Sequence, residues 1–248
     1  MNKIAVVTGG SRGIGAATAR LFASNGYDVC VNYLANDAAA EKVRLEILSL
    51  GVRCITVKAD VSTGRGVARL FRETDDGLGT LSVLVNNAAI LKTQSRLSNI
   101  SEQRINDILR TNVTSCFLCC KAAVERMSTN TGGTGGCIIN VSSGASKSGS
   151  PNEYIDYAAS KGAVDTLTRG LALEVAAEGI RVNAVRPGLI YTEMHASGGE
   201  PGRVDRFKPR IPLQRGGQAV EVAEAILWLA SENSSFVTGS FIDVSGGL

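Results

Sequence analysis

The chain has 248 residues, long enough to bury a large core yet within the size of one α/β domain. Hydrophobic residues make up 44% and charged residues 20%, which excludes a disordered or fibrous chain. The net charge of +3 comes from 26 basic and 23 acidic residues scattered in both signs, so no field suited to nucleic acid or an anionic membrane stands out.

In chain order, the first predicted strand is the apolar run 4–8, which Met1 to Val7 enters without the h-region of a signal peptide. No apolar run approaches the ~20 residues of a membrane span, so a cytoplasmic protein without membrane or nucleic-acid partners is expected. The strand leads into Thr8-Gly9-Gly10-Ser11-Arg12-Gly13-Ile14-Gly15, which opens a predicted helix over 16–24. Glycine suits such a turn because it permits positive φ and lets backbone approach a pyrophosphate, whose charge then meets the free N–H groups of the helix start. Gly9, Ser11, Arg12, Gly13, Ile14 and Gly15 are therefore candidate cofactor contacts. The G-x-x-x-G-x-G spacing differs from G-x-G-x-x-G, so the mechanism carries over and the pattern does not, and a tight turn without ligand is the alternative.

The second strand, 29–33, ends in Val31-Asn32-Tyr33-Leu34, where a carboxylate would bind the adenosine ribose of NAD and repel a 2′-phosphate. No acid stands there, and the Arg12 guanidinium is suited to a phosphate. Asn32, Tyr33 and Arg12 thus favour NADP(H), while nearby Asp37 keeps NAD(H) open. Further helices are predicted over 37–50, 66–78, 102–127, 157–177 and 219–230, alternating with strands 54–57, 83–86, 137–141, 182–185 and 241–244. Seven strands alternating with helices imply a parallel sheet, and their continuous hydrophobicity implies helices on both faces, the doubly wound α/β arrangement. Cys30, Cys54, Cys116, Cys119, Cys120 and Cys137 lie mostly in apolar strand or helix patterns and read as reduced core thiols; Cys116-x-x-Cys119 lacks a second pair for a metal. The aperiodic polar stretch 193–217 reads as a substrate flap.

Tyr157 and Lys161 lie four residues apart, on one face of the 157–177 helix. Bringing a phenol from a pKa near ~10 to ~7 takes about 4 kcal/mol of preferential stabilisation of the phenolate, which nearby positive charge can supply. The Y-x-x-x-K spacing alone is weak, but the pair follows strand 137–141 and Ser142-Ser143, at the strand edge where doubly wound sheets assemble sites.

Over nearly its whole length the chain resembles the short-chain dehydrogenase/reductase family, on Thr8 to Gly15, Asp60-Val61, Asn86-Asn87-Ala88-Ala89, Asn112, Ser143, Tyr157 with Lys161, and Pro187-Gly188 with Thr192. Ala89 departs from the family's glycine, and Ser143 is chosen over Ser142 by its distance from Asn140. The resemblance implies a single-domain Rossmann-type fold spanning 1–248 and a nicotinamide-dependent oxidoreductase acting on a carbonyl or secondary alcohol of a small molecule. It implies that Ser143 binds the substrate oxygen, Tyr157 exchanges its proton, Lys161 holds the nicotinamide ribose and lowers the phenol pKa, and Asn112 fixes a relaying water. Asp60, Val61, Asn87, Ala88, Pro187, Gly188, Ile190 and Thr192 become further cofactor contacts, no metal is expected, and a homotetramer is implied.

Within the family the chain is similar to bacterial glucose-1-dehydrogenase-like and ketoacyl-reductase-like members. Reduction of a carrier-bound ketoacyl group is disfavoured because Ser128 to Gly136 carries no basic residue and Glu178 stands late in the tyrosine-helix region, where carrier-dependent members have arginines. A nucleotide-binding regulator that kept the fold is the non-enzyme alternative. The flap's Arg203, Arg206, Lys208 and Arg210 are expected to be solvated, and lone His195 is left between substrate contact and structure.

Overall fold

The computed structural model describes residues 2–248. Strands β1 (Ile4–Val7), β2 (Asp28–Tyr33), β3 (Cys54–Lys58), β4 (Val83–Asn86), β5 (Gly136–Val141), β6 (Ile180–Pro187) and β7 (Phe241–Val244) form one sheet in the order β3-β2-β1-β4-β5-β6-β7. Every neighbouring pair is parallel, so each connection crosses over through a helix. After β3 the chain returns past β1 to begin β4, which opens a crevice at the carboxyl ends of β1 and β4.

Side chains alternate along each strand between two cores. Ile4 and Val6 join Leu70, Phe71, Met127 and Val164 on one face; Ala5 and Val7 join Phe22, Ile47, Val222 and Leu229 on the other. The helices that supply them are α1 (Gly13–Ser24), α2 (Asp37–Leu48), α3 (Gly64–Gly77), α4 (Glu102–Leu109), α5 (Ser115–Met127), the short α6 (Ala145–Ser148), α7 (Ile155–Val175), the short α8 (Met194–Ser197) and α9 (Arg203–Phe207), and α10 (Ala219–Ala230). Helices α1, α2 and α10 cover one face, while α3, α5 and α7 cover the other, as the continuous strand hydrophobicity implied. All six cysteines are buried and unpaired, in line with core thiols. No helix among the described residues is long and apolar enough to cross a membrane.

Two elements differ from the periodicity. The predicted helix 102–127 contains a π turn at Arg110–Thr114, with Asn112 buried inside it. There the Ser115 hydroxyl donates to the Thr111 carbonyl at 2.5 Å. Hydrophobic spacing barely registers one wide turn in a long helix. The polar stretch 193–217 is not structureless: it holds α8 and α9, and a bridge between Ile190 and Gly217 ties its two ends together.

Candidate active site

The glycine turn is built to specification. Gly9 and Gly13 have φ of +61° and +52°, the left-handed region where a side chain is strained. A Cβ on Gly15 would stand 2.4 Å from the Gly9 carbonyl oxygen and 2.5 Å from Asn87 Nδ2, so α1 can approach the turn only without a side chain there. The α1 N-terminus receives no side-chain cap and has no acid in its first turn. Its free N–H groups and positive dipole end therefore fit a diphosphate, which is the observation that makes the crevice suitable for a dinucleotide. Thr192 covers the turn from the side of segment 193–217, its Cγ2 3.4 Å from where a Gly13 Cβ would be.

Asn32 is placed differently from its expected cofactor contact. Its side chain is buried, donating to Val57 and Ala59 carbonyls at 3.2 and 3.0 Å and accepting from the Gly9 amide at 3.4 Å, so it braces the turn from beneath. Tyr33 donates to Asp37 at 2.7 Å, and Lys58, opposite Tyr33 on β3, reaches the same carboxylate at 2.9 Å. These partners hold the Asp37 carboxyl below its ordinary pKa, Lys58 foremost. Arg12 is exposed. Asp60 is also exposed while Val61 is buried, and Gly66 is obligatory behind them: its Cβ would fall 1.9 Å from the Asp60 carbonyl oxygen.

At β4 the two asparagines divide their work. Asn86 donates to Asn140 at 2.9 Å, and Asn140 donates to Thr168 at 2.8 Å, which braces the sheet against α7. Asn87 donates to the Thr8 and Gly9 carbonyls at 2.9 and 3.0 Å, and the Thr8 hydroxyl accepts from the Asn87 and Ala88 amides at 3.0 and 3.1 Å. The glycine turn is thus locked to β4.

From this turn a crevice of about 670 Å³ runs along the sheet edge, lined by Ser143, Tyr157, Lys161, Pro187, Gly188 and Ile190 among others. Gly188 makes room for Ser245, whose Cα would lie 2.8 Å from a Cβ there. Tyr157 is 9% exposed and Lys161 3%. The Lys161 Nζ donates to the Val141 carbonyl at 2.7 Å and lies 5.6 Å from the Tyr157 ring centroid. Burial pushes the phenol up to about 12, opposed by the neighbouring Ser143 hydroxyl, and pulls the ammonium down to about 8. The Ser143 Oγ also accepts from the Ala145 amide at 3.1 Å. Asn112 stands behind the crevice: its amide donates to Ile90 and Ser160 at 3.1 Å each and accepts from the Ile90 amide at 2.8 Å, so both side-chain protons are used. Tyr154 is turned away to donate to the Gly198 carbonyl at 3.1 Å, leaving Tyr157 as the phenol beside Ser143.

The segment 193–217 corrects one expectation. Arg203 is not solvated; it is 9% exposed, paired with Glu153 and with Glu200 at 3.0 Å, and stacked over the Tyr154 and Phe207 rings. Arg206 also pairs with Glu200, whose carboxyl is held down to about 2 by Arg206 foremost, then by Arg203 and Gln94. Lys208 and Arg210 are exposed as expected. His195 Nε2 lies 3.0 Å from the Ile190 carbonyl oxygen, which can only accept, so this nitrogen carries the proton and the ring ties α8 to the end of β6. Gln94, Glu153 and Glu200 were missed as site residues; opposite charges at 200, 203 and 206 were the available signal.

A family profile described as Enoyl-(Acyl carrier protein) reductase matches residues 9–248. The chain is 61% identical over 244 residues, 98% of its length and 99% of the relative's, to "Uncharacterized oxidoreductase YgfF" of Escherichia coli strain K12. Among solved structures it is similar to a short-chain type dehydrogenase/reductase from Mycobacterium marinum, with a TM-score of 0.91, 34% identity, and coverage of 99% of this chain and 94% of that one. It is likewise similar to a 3-ketoacyl-(acyl-carrier-protein) reductase from Brucella melitensis complexed with NADH, with a TM-score of 0.91, 30% identity, and coverage of 99% and 97%.

Proposed function

The chain belongs to the short-chain dehydrogenase/reductase family, and on that premise we propose that it is an NADP(H)-linked oxidoreductase that interconverts a carbonyl and a secondary alcohol of a small molecule. The observation that carries this reading is the convergence of Ser143, Tyr157 and Lys161 on one crevice that begins at an uncapped, glycine-lined helix N-terminus. A nicotinamide held in this crevice would supply or accept the hydride. Ser143 and Tyr157 hydroxyls donate to the substrate oxygen, Tyr157 gives up its proton as charge develops there, and the Lys161 ammonium lowers the cost of the phenolate left behind. Asn112 holds the segment at Ile90 against α7 and so fixes the wall behind the pair.

Preference for NADP(H) is supported by the missing acid at the end of β2, by exposed Arg12, and by the neutralisation of Asp37 by Lys58. The segment 193–217 serves as the substrate flap, and Phe117 on α5 and Leu173 on α7 leave apolar surface suited to a homotetramer. Sedimentation at micromolar concentration should give four protomers, and a monomer would sink that assembly. The function is tested by following nucleotide oxidation with NADPH and NADH across a panel of small carbonyl compounds. Turnover with NADPH exceeding that with NADH is expected; NADPH binding without reduction of any carbonyl would favour a nucleotide-binding regulator instead. A second reading, reduction of a carrier-bound ketoacyl group, draws on the family profile and the Brucella melitensis neighbour, but the segment Ser128 to Gly136 offers no cation to an acidic carrier. A kcat/KM for a carrier-bound ketoacyl group above that for every free ketone would establish it.

A further inference from the structure

Tyr157 lies in the first turn of α7, where a helix N–H has no carbonyl one turn back to accept it. Its backbone is gripped by side chains at both ends. The Tyr157 amide donates to Asp156 Oδ1 at 2.9 Å, and the Ser160 hydroxyl donates to the Tyr157 carbonyl at 2.6 Å. Both gripping groups are themselves held from the α4 side. Arg104 of α4 donates from Nε to Asp156 Oδ2 at 2.6 Å and from Nη2 to Oδ1 at 3.2 Å, and Asn112 of the π turn donates to the Ser160 hydroxyl at 3.1 Å.

Arg104 and Asn112 repeat one arrangement. Asn112 exchanges hydrogen bonds with the amide and carbonyl of Ile90, and Arg104 Nη1 donates to the Thr93 carbonyl at 2.7 Å. Each therefore ties a residue just ahead of the proton-transfer pair, Asp156 before Tyr157 and Ser160 before Lys161, to the segment that follows β4. Leu91 lies between the two anchor points and lines the crevice together with Tyr157. The Arg104 and Asp156 pair has the geometry for this task, because a planar fork on both carboxylate oxygens fixes direction as well as distance, which a point cation does not. The Arg104 side chain is 14% exposed and that of Asp156 3%, so salt screens the pair little. A pair this buried adds little stability over neutral replacements of both partners, so geometry accounts for it better than stability does.

We infer that Arg104 and Asp156 are positioning residues for the reaction: the pair fixes the first turn of α7, and with it the Tyr157 hydroxyl, relative to the crevice wall at Leu91. The inference rests on the proton-transfer role proposed above for Tyr157, so one of its readouts is independent of turnover. The full-length variant Arg104→Met with Asp156→Asn removes both charges together and keeps an acceptor for the Tyr157 amide. At a temperature where melting curves show it and the wild type folded, its NADPH affinity should stay within about twofold, whereas kcat should fall on the order of 10²-fold, the loss that a displacement of about 1 Å produces. A merely structural role predicts that kcat is intact once the protein is folded. In protein carrying 3-fluorotyrosine at its five tyrosines, the ¹⁹F resonance that disappears in Tyr157→Phe should shift or broaden in the double variant, while that of Tyr27, packed edge-on against Phe22 outside the crevice, stays in place. An unmoved Tyr157 resonance, a wild-type kcat, or a loss of NADPH affinity in parallel with kcat overturns the inference. If the double variant does not fold, Arg104→Lys takes its place: it keeps the charge and loses the fork, so kcat should fall about tenfold, and a wild-type kcat overturns the inference equally. Absence of turnover in the wild type would remove the proposed function and leave the fluorine resonances to decide the positioning.

Discussion

At the glycine-turn end of the crevice, Gly9, Gly15, Thr8 and Asn87 are fixed by backbone hydrogen bonds and by approaches too close for a Cβ. At the flap end, Arg203 and Arg206 are fixed by Glu153 and Glu200, through side-chain charge. Backbone contacts of the first kind give a site one geometry and are indifferent to pH and salt. Ion pairs of the second kind release when a charge is removed or screened. Under the proposed function, the cofactor held in one pose takes the first end, and the substrate that enters and leaves takes the second.

The largest effect should come from the rigid end. Gly15→Ala places its Cβ against the Gly9 carbonyl and the Asn87 amide, and overpacking costs about 1–3 kcal/mol. NADPH affinity, read by fluorescence titration, should fall by on the order of 10- to 100-fold, and an unchanged affinity would show that the turn gives way. Next, Arg203→Met removes the flap's buried cation; with hydrogen bonds to charged groups contributing about 1.5–3 kcal/mol, KM for the carbonyl should rise roughly tenfold or more. NADPH affinity should stay within about twofold, and a parallel loss of both would show that the two ends are not separate.

A smaller effect is expected from pH at the catalytic pair. Burial depresses Lys161 to about 8, so its charge is present below that value and lost as pH rises through it. Carbonyl reduction at saturating NADPH should therefore decline above about pH 8, and a flat alkaline profile would count against Lys161 as the charge that assists Tyr157. The smallest effect lies in acid. Glu200 is depressed to about 2, so the latch is intact above the ordinary carboxylate range near ~4.3 and is lost as pH falls toward 2. Hydrogen exchange in 193–217, corrected for intrinsic rate, should quicken over that window while the 8–15 turn remains protected; equal change in both would erase the contrast.

What the sequence disclosed follows the same division. Strand runs, the glycine turn, and the Tyr157 and Lys161 spacing are local patterns, and each appears in the fold where the pattern puts it. The absence of an acid at the end of the second strand says nothing of where the Asn32 amide bonds, which is inward to the Val57 and Ala59 carbonyls, residues distant in the chain. Arg203 was misjudged for a related reason: its burial comes from Glu153, 50 positions earlier, and from the Tyr154 ring, which no local count of charges anticipates. The π turn around Asn112 is a backbone departure of a single turn, and apolar spacing does not resolve it.

The account depends most on Tyr157 as the proton donor to a substrate carbonyl, and the most direct measurement is the single-turnover rate of NADPH oxidation by wild type and Tyr157→Phe on one shared carbonyl substrate. The phenylalanine variant keeps the ring in its buried place and removes only the hydroxyl. Its rate should fall by about 10²- to 10⁴-fold, with NADPH affinity nearly unchanged; equal rates in the two proteins would contradict the proposed chemistry.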